Sequence, residues 1–432
     1  MSHHATHHEP PVVRLTTVPA GLRIGAVALI ALGAIGLVAA LLVDPTRAWR
    51  AYLISWLYFM GIAQGAVLLA AVVTITKGLW SRPIRRFALS FSAFLPIAFL
   101  AMIPLFFAAD HLFPWIAEPI PGKDKWLNVP FLVVRNLILY GGLVVVSLAF
   151  AYFALRPDLG LIRQQVPEPL RGLYARLTGG WRGQEAEELR SHRRLLVLAP
   201  MLVIFYAMAL GVISWDFIMS LEPHWFSTLL GPYFFMGAFL GGVMATGLLT
   251  LAYRERMELE HWILPSTLHD IGKLSFGFTV FWGYLFFSQY IVIWYGLLPI
   301  EQAFVIHRFT APFKYVAQLV GLCLFVIPFF GLLGVMTKRT PKLYATLAII
   351  SLFGLFMERY LLVYPSLWIG TDTLPLSWQE PVIALLFAGL LLASLAWFAH
   401  RFPMMQIWQQ PTEIELQGVE LELSQDVATP AE

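Results

Sequence analysis

Apolar runs of roughly twenty residues recur along the whole chain, separated by short stretches where Arg, Lys, Pro, Gly and acidic residues gather. A helix crossing a bilayer needs about 20 mostly apolar residues at about 1.5 Å rise each. Ten segments meet that requirement, at 22–43, 50–76, 85–109, 131–155, 193–215, 228–253, 269–296, 314–336, 343–364 and 380–399. The pattern predicts an all-α integral membrane protein. Its one long internal connection, 156–192, is rich in Pro, Gly and Arg and reads as a cytoplasmic loop with a short amphipathic helix around QEAEELRSHRR. Residues 1–21 read as a disordered cytoplasmic tail, and 403–432 as an acidic, peripheral one.

The spans repeat. The second and sixth share FMGIAQGAV (59–67) and FMGAFLGGV (235–243), and the fourth and eighth open alike, PFLVVRN (130–136) and PFKYVAQ (312–318). Both pairs run in the same direction through the bilayer. The expected architecture is two parallel-repeated four-helix bundles, 50–219 and 220–365. A first helix with its loop (22–49) and a tenth helix (366–402) flank them. FMGxxxG also serves ordinary small-residue helix packing, so the motif alone does not require duplication.

Composition strengthens the membrane reading. Of 432 residues, 59% are hydrophobic and 13% charged, against about a quarter charged in soluble domains. A net charge of +3 is too small to argue for a nucleic-acid partner. Cys323 is the one cysteine, which excludes an internal disulfide, a CxxCH haem attachment and a cysteine-ligated iron–sulfur cluster. Outside the N-terminal tail, every histidine falls in a loop or at a span end, so no axial pair for a membrane haem b is available. The polar start, MSHHATHHEP, lacks the order of a cleavable signal. With the N-terminus inside, inner segments carry twenty Lys and Arg and outer ones six. That asymmetry predicts two cytoplasmic termini.

Ionisable residues at the span ends are the candidate chemistry. STLHDIGKLSFGFTVFW brings His269, Asp270 and Lys273 into the start of the seventh span. Thr267 and Asp270 make a T-x-x-D cap there, with Lys273 snorkelling or paired to Asp270; a proton entry is the alternative. On the outer side, SWDFIMSLEPHWF places Asp216, Glu222 and His224 in one short connection, joined by Asp110 and His111. Arg135 lies near the outer end of span four, and Glu358–Arg359 inside span nine. Neighbours on a helix point about 100° apart, so Glu358 and Arg359 are expected to find partners on other helices. Arg135 is matched to Asp216 or Glu358. Gln64, Tyr206, Ser288, Gln289 and Tyr290 are either helix–helix hydrogen-bonding groups or a polar relay between the two ends.

SWDFIMSLEPHWFSTLLGPYFFMGAF, LHDIGKLSFGFTVFWGYLFFSQYIVIWYG and YLLVYPSL resemble the quinone-binding subunit 2 (the F subunit) of bacterial alternative complex III. More widely they resemble the polysulphide-reductase, NrfD-like membrane subunits. The likeness spans most of 50–365. It implies ten helices in two four-helix bundles within a quinol:electron-acceptor (cytochrome c type) oxidoreductase of the bacterial inner membrane. It also implies a sister membrane subunit, an iron–sulfur subunit, and multihaem and monohaem cytochrome c subunits. This chain has no metal-ligand set of its own, so haem c and iron–sulfur clusters are expected only in those partners. A proton path is the implied role, with a quinone or quinol pocket the less certain one. The path would enter at His269, Asp270 and Lys273 and leave by Asp216, Glu222, His224 and Glu358, tuned by Arg135 and Arg359. The family pattern has an aspartate near position 358 and no following arginine, so Arg359 is a departure that argues against Glu358 as a freely titrating carrier. A secondary transporter and a purely structural scaffold are the rival readings.

Overall fold

The computed structural model describes residues 18–368 and 373–408. The two tails beyond them, expected to be disordered and peripheral, lie outside the described residues. Ten helices long and apolar enough to span a membrane are present among those described: α1 (Ala20–Val43), α2 (Pro45–Ile75), α3 (Leu79–Phe107), α4 (Val129–Ile162), α6 (Gln184–Phe217), α7 (Leu230–Arg256), α8 (Pro265–Gly296), α10 (Lys314–Leu333), α11 (Pro341–Leu367) and α12 (Gln379–Arg401). Among the shorter helices between the spans are α5 (Glu168–Leu177) and α9 (Pro299–Phe309). An even number of spans puts Ala20 and Arg401 on one face, which also carries most Lys and Arg and is called the basic face below.

Local chemistry sets the helix ends. Asp44 accepts the Arg47 N–H at 3.0 Å with Pro45 in the first turn of α2, and Asn128 does the same for Phe131 at 2.9 Å in α4. Proline shapes two interiors. Pro96 and Pro104 each remove a donor from α3, which breaks into short helical and 3₁₀ pieces. In α10 a π-helical turn, Leu322–Val326, precedes Pro328.

At the centre α2 crosses α7 through the shared motif. A Cβ on Gly65 would meet the Ala238 carbonyl, one on Gly242 the backbone of Gly65 and Ala66, and one on Gly241 the Ile62 side chain. Aligning the two motifs exchanges the first and third of these contacts, as an axis along the membrane normal would do. Neighbours recur in the same way. α2 packs on α6 as α7 does on α11, and the crossed pairs α2–α11 and α6–α7 also touch. α1 lies outside, its Gly33 and Gly36 against Leu386 and Val382 of α12.

Three expectations change. The 156–192 connection is mostly helix. α4 continues to Ile162, α5 follows, and the QEAEELRSHRR segment is the beginning of α6 rather than a separate helix. Its polar residues bond to one another: the Arg156 guanidinium donates to Glu187 at 2.7 Å and to the Leu177 and Gly179 carbonyls. The described start of the C-terminal tail is docked, not peripheral. Asp158 accepts the Ile407 and Trp408 N–H groups at 3.1 and 2.9 Å and pairs with Arg86. Finally, α8 begins at Pro265 behind Leu264, with no side-chain cap. Thr267 and Asp270 are therefore already inside the helix, and Lys273 lies beyond its first turn.

Candidate functional site

A cavity of about 530 Å³ opens in the second bundle between α7, α8, α9, α10 and α11. Its walls are aromatic and aliphatic, with Phe286, Phe304, Phe325 and Leu362 prominent. The π-turn of α10 supplies Phe325 and Val326 to it. Few polar groups reach the lining: Glu358, Arg308, Gln289, Gln318, Tyr233, Tyr290 and the Trp282 indole. Apolar walls with a small convergent polar set are what small-molecule sites present.

Glu358 is 1% exposed. It takes Arg359 Nη1 at 2.6 Å and the Trp282 indole N–H at 3.4 Å, and the Tyr233 hydroxyl bonds it as well. The expectation that these two adjacent residues do not pair with each other is thus overturned, while the partners expected on other helices are present: Trp282 and Tyr233 for Glu358, the Phe234 carbonyl for Arg359. Their Cβ bonds diverge, but the guanidinium arm is long enough to turn back along α11. Arg359 also donates to the Phe234 carbonyl at 3.2 Å, with its Cζ 4.2 Å above the Phe234 ring. Gly237 makes room for it, since a Cβ there would stand 3.3 Å from Nη2.

The side of the cavity away from the basic face is closed by α9. Arg308 lies flat on Phe304, 3.3 Å from the ring centroid, and Phe304 stacks on Trp225 at 3.6 Å. The Arg308 guanidinium donates to the Phe304 and Leu362 carbonyls and to Ser366 Oγ. Glu222 stands 3.5 Å from both Arg308 and His307 and accepts from Ser366 at 3.1 Å. Burial pulls the Arg308 guanidinium down to about 10, a fall that Glu222 opposes.

The acidic group expected as one outer cluster is therefore divided. Asp216 belongs to the first bundle, bound at both oxygens by Arg135 (2.6 and 2.7 Å) and by Asn136 at 2.5 Å. Arg135 bonds Asp216, one of its two expected partners, and lies over Trp126 and Phe131. His224 and Asp110 are exposed, and His111 meets Thr46 at 3.1 Å.

Towards the basic face, polar side chains of α8 and α11 face one another across the interior of the second bundle. Trp282 and Glu358 come first, then Thr279 and Ser351, whose buried hydroxyls find no partner among the described residues. Ser275 and Tyr344 follow, 3.0 Å apart. Beyond them Lys338 caps α10 by donating to the Leu332 carbonyl at 2.9 Å. Burial and the nearby Lys273 charge lower the Lys338 pKa. Lys273 itself is 57% exposed and pairs with Asp270 at 2.7 Å, and His269 is half-buried beside them.

Of the expected relay, Gln289 and Tyr290 line the cavity, while Ser288 is half-buried and not part of its lining. Gln64 accepts from Ser147 at 3.2 Å and Tyr206 donates to the Phe235 carbonyl, so those two tie helices together. Tyr233, Trp282, Arg308, His307, Thr279 and Ser351 were not singled out from sequence. For Thr279, Ser351 and Trp282 a signal existed, the seven-residue spacing of 344, 351 and 358 facing 275, 279 and 282.

These features define a multipass helical membrane protein with a buried carboxylate, paired behind it to a guanidinium, on the wall of an apolar chamber. The family described as polysulphide reductase, NrfD, matches residues 40–370, and the chain belongs to that family. Its members are typically the quinone-interacting membrane subunits of respiratory oxidoreductases and partner with subunits such as iron–sulfur proteins. A search of curated proteins finds no match.

Proposed function

We propose that this chain is the membrane subunit of a quinol:cytochrome c type oxidoreductase of the alternative complex III kind, and that the second-bundle cavity is its quinol site. The observation that carries the reading is a buried carboxylate, Glu358, on the wall of a chamber otherwise apolar enough for a lipid-soluble ring. Glu358, Gln318 and Arg308 are the groups that would hold and orient the ring's oxygens. The proposed setting is the bacterial inner membrane with both termini cytoplasmic. Sister membrane, iron–sulfur, and multihaem and monohaem cytochrome c subunits would carry the metal centres.

Oxidising a quinol to a quinone frees two electrons and two protons. The electrons would pass to metal centres held by partner subunits, and Glu358 accepts the two protons one at a time as general base, handing on the first before it takes the second. Protonating Glu358 strips Arg359 of its counter-ion, and an unpaired buried cation is costly, so the proton is driven onward. Two polar routes leave Glu358. One runs past Arg308 to Glu222 and His307 on the face away from the basic side. The other follows Thr279, Ser351, Ser275 and Tyr344 to the basic face, where His269, Asp270 and Lys273 lie. Thr279 and Ser351 hydroxyls, without partners among the described residues, suit ordered water in the bundle interior between α8 and α11. We assign release of the substrate's protons to the first route; the second would bring a further proton from the basic face to Glu358 once release has emptied it, and that proton too leaves by the first.

The complex should be purified gently from native membranes and its reduced-minus-oxidised spectrum recorded. Stoichiometric c-type haem with iron–sulfur partners is the expected result, and a lone colourless chain would defeat the respiratory assignment. In that complex Glu358→Gln should retain quinol binding and lose about a hundredfold or more in turnover, the range of a general base.

A further inference from the structure

A second chamber of about 500 Å³ adjoins the first and shares Phe286, Phe287, Tyr290, Val305 and Phe309 with it. Between the two stands an aromatic threshold. The Phe309 ring lies 6.1 Å from both Phe286 and Tyr290, centroid to centroid. Beyond the threshold no charged residue lines the wall; Gln302 and Thr310 are the polar groups besides the Tyr290 hydroxyl and the Trp294 indole.

We infer that this outer chamber is the seat of an isoprenoid tail, so that the substrate lies across the threshold with its ring inside and its chain outside. The inference rests on the quinol reading of the inner cavity and names what that reading leaves open, the tail and the way in. Three observations support it. Polarity runs in one direction, from Glu358 and Arg308 in the inner chamber to hydrocarbon in the outer. The rim is made of large apolar side chains left uncovered, with Phe287 and Trp294 each 58% and Ile306 51% exposed. On a spanning helix such as α8, that exposure faces lipid, so the mouth opens to the bilayer rather than to water. The two chambers also differ as the two parts of an amphiphile do. A small polar substrate would have no use for the second, and a phospholipid headgroup would have to pass three aromatic rings to reach the first.

The tail gains little from leaving lipid, because bilayer and chamber are both apolar. What the chamber adds is close packing, which holds the ring at one depth beside Glu358. Obstructing the chamber should therefore act on tailed ligands by steric exclusion.

The test uses the intact complex and two quinones with the same ring, one carrying a multi-isoprene tail and one carrying none. Affinity is measured in the wild type, in Ile306→Trp and in Thr310→Trp, two walls of the outer chamber, so that failure of one variant to fold leaves the other. The ratio of tailed to tailless affinity is expected to fall about tenfold, the scale of an overpacking clash. An unchanged ratio in both variants, or equal loss for both ligands, would overturn the tail assignment while leaving the quinol site intact. A phospholipid acyl chain retained in the chamber, with tailed affinity unaffected by its removal, would overturn it too. If neither quinone binds the wild-type complex, the quinol reading itself fails.

Discussion

Glu358 and Arg359 form a buried ion pair inside a membrane helix, with both side chains 1% exposed. Removing one partner of such a pair typically costs about 3–5 kcal/mol, because the other charge is stranded, whereas replacing both with apolar groups is often close to neutral. Glu358→Gln should therefore lower the unfolding temperature clearly, and Glu358→Gln with Arg359→Met should recover much of the loss. A double-mutant cycle by thermal unfolding checks this, and additive losses would mean the pair is not coupled. The Arg135–Asp216 pair is different in kind. Its bonds to Asn136 and the Trp126 carbonyl leave little capacity for a travelling proton. We expect Asp216→Asn to reduce stability while quinol affinity and turnover per folded complex hold, measured side by side. Arg135–Asp216 was legible in sequence because opposite charges in neighbouring spans have few partners. Glu358–Arg359 was not, because helix geometry fixes where a Cβ points but not where a long arm ends. Nor did sequence distance reveal that Asp216 and Glu222, six residues apart, serve different bundles.

Helices were the most legible features, because hydrocarbon thickness dictates their length and apolarity; every expected span is there. Irregularity was less so. Pro96, Pro104 and Pro328 are plain in the sequence, yet whether a proline kinks, breaks or shifts a helix into π geometry depends on which neighbours re-satisfy the freed carbonyls. Helix α9 escaped notice because eleven residues with Glu301, His307 and Arg308 are too short and too polar to resemble a span. It nevertheless carries Arg308 and one wall of both chambers. The glycines of the α2–α7 crossing offer a test at this scale. A Cβ at Gly242 runs into the backbone of α2, whereas one at Gly277 on α8 meets nothing within 4 Å. Gly242→Ala should destabilise the protein by about 1–3 kcal/mol or more through overpacking. Gly277→Ala should be neutral or stabilise by up to about 1 kcal/mol through helix propensity. Unfolding temperatures of the two in the same detergent decide it, and equal values would mean the crossing is looser than its contacts imply.

Across the whole molecule the two bundles share neighbours but use one slot differently. Arg135 and Asn136 follow PFLVV on α4 and meet Asp216 of α6, filling the first bundle with a saturated ion pair. Gln318, at the matching place after PFKYVA on α10, instead faces a cavity with Glu358 of α11 on its wall. One half is thus closed by polar bonding and the other left open to a ligand, with the α2–α7 crossing holding them together. If that division is the basis of function, Glu358 must exchange protons with two faces by separate routes, and each can be cut alone. Thr279→Val with Ser351→Ala removes from the bundle interior the two hydroxyls that lack partners among the described residues, at little cost in volume. In complex reconstituted into liposomes, it should abolish proton uptake from the basic face while quinol oxidation falls only about twofold. Glu222→Gln should do the reverse, slowing oxidation about tenfold because release from Glu358 becomes limiting. The measurement is proton movement at each face alongside electron transfer, by pH dyes inside and outside the vesicle. Thr279 and Ser351 variants that leave both signals untouched would reduce these hydroxyls to bundle filling. Glu358 would then serve the face of Glu222 and His307 alone.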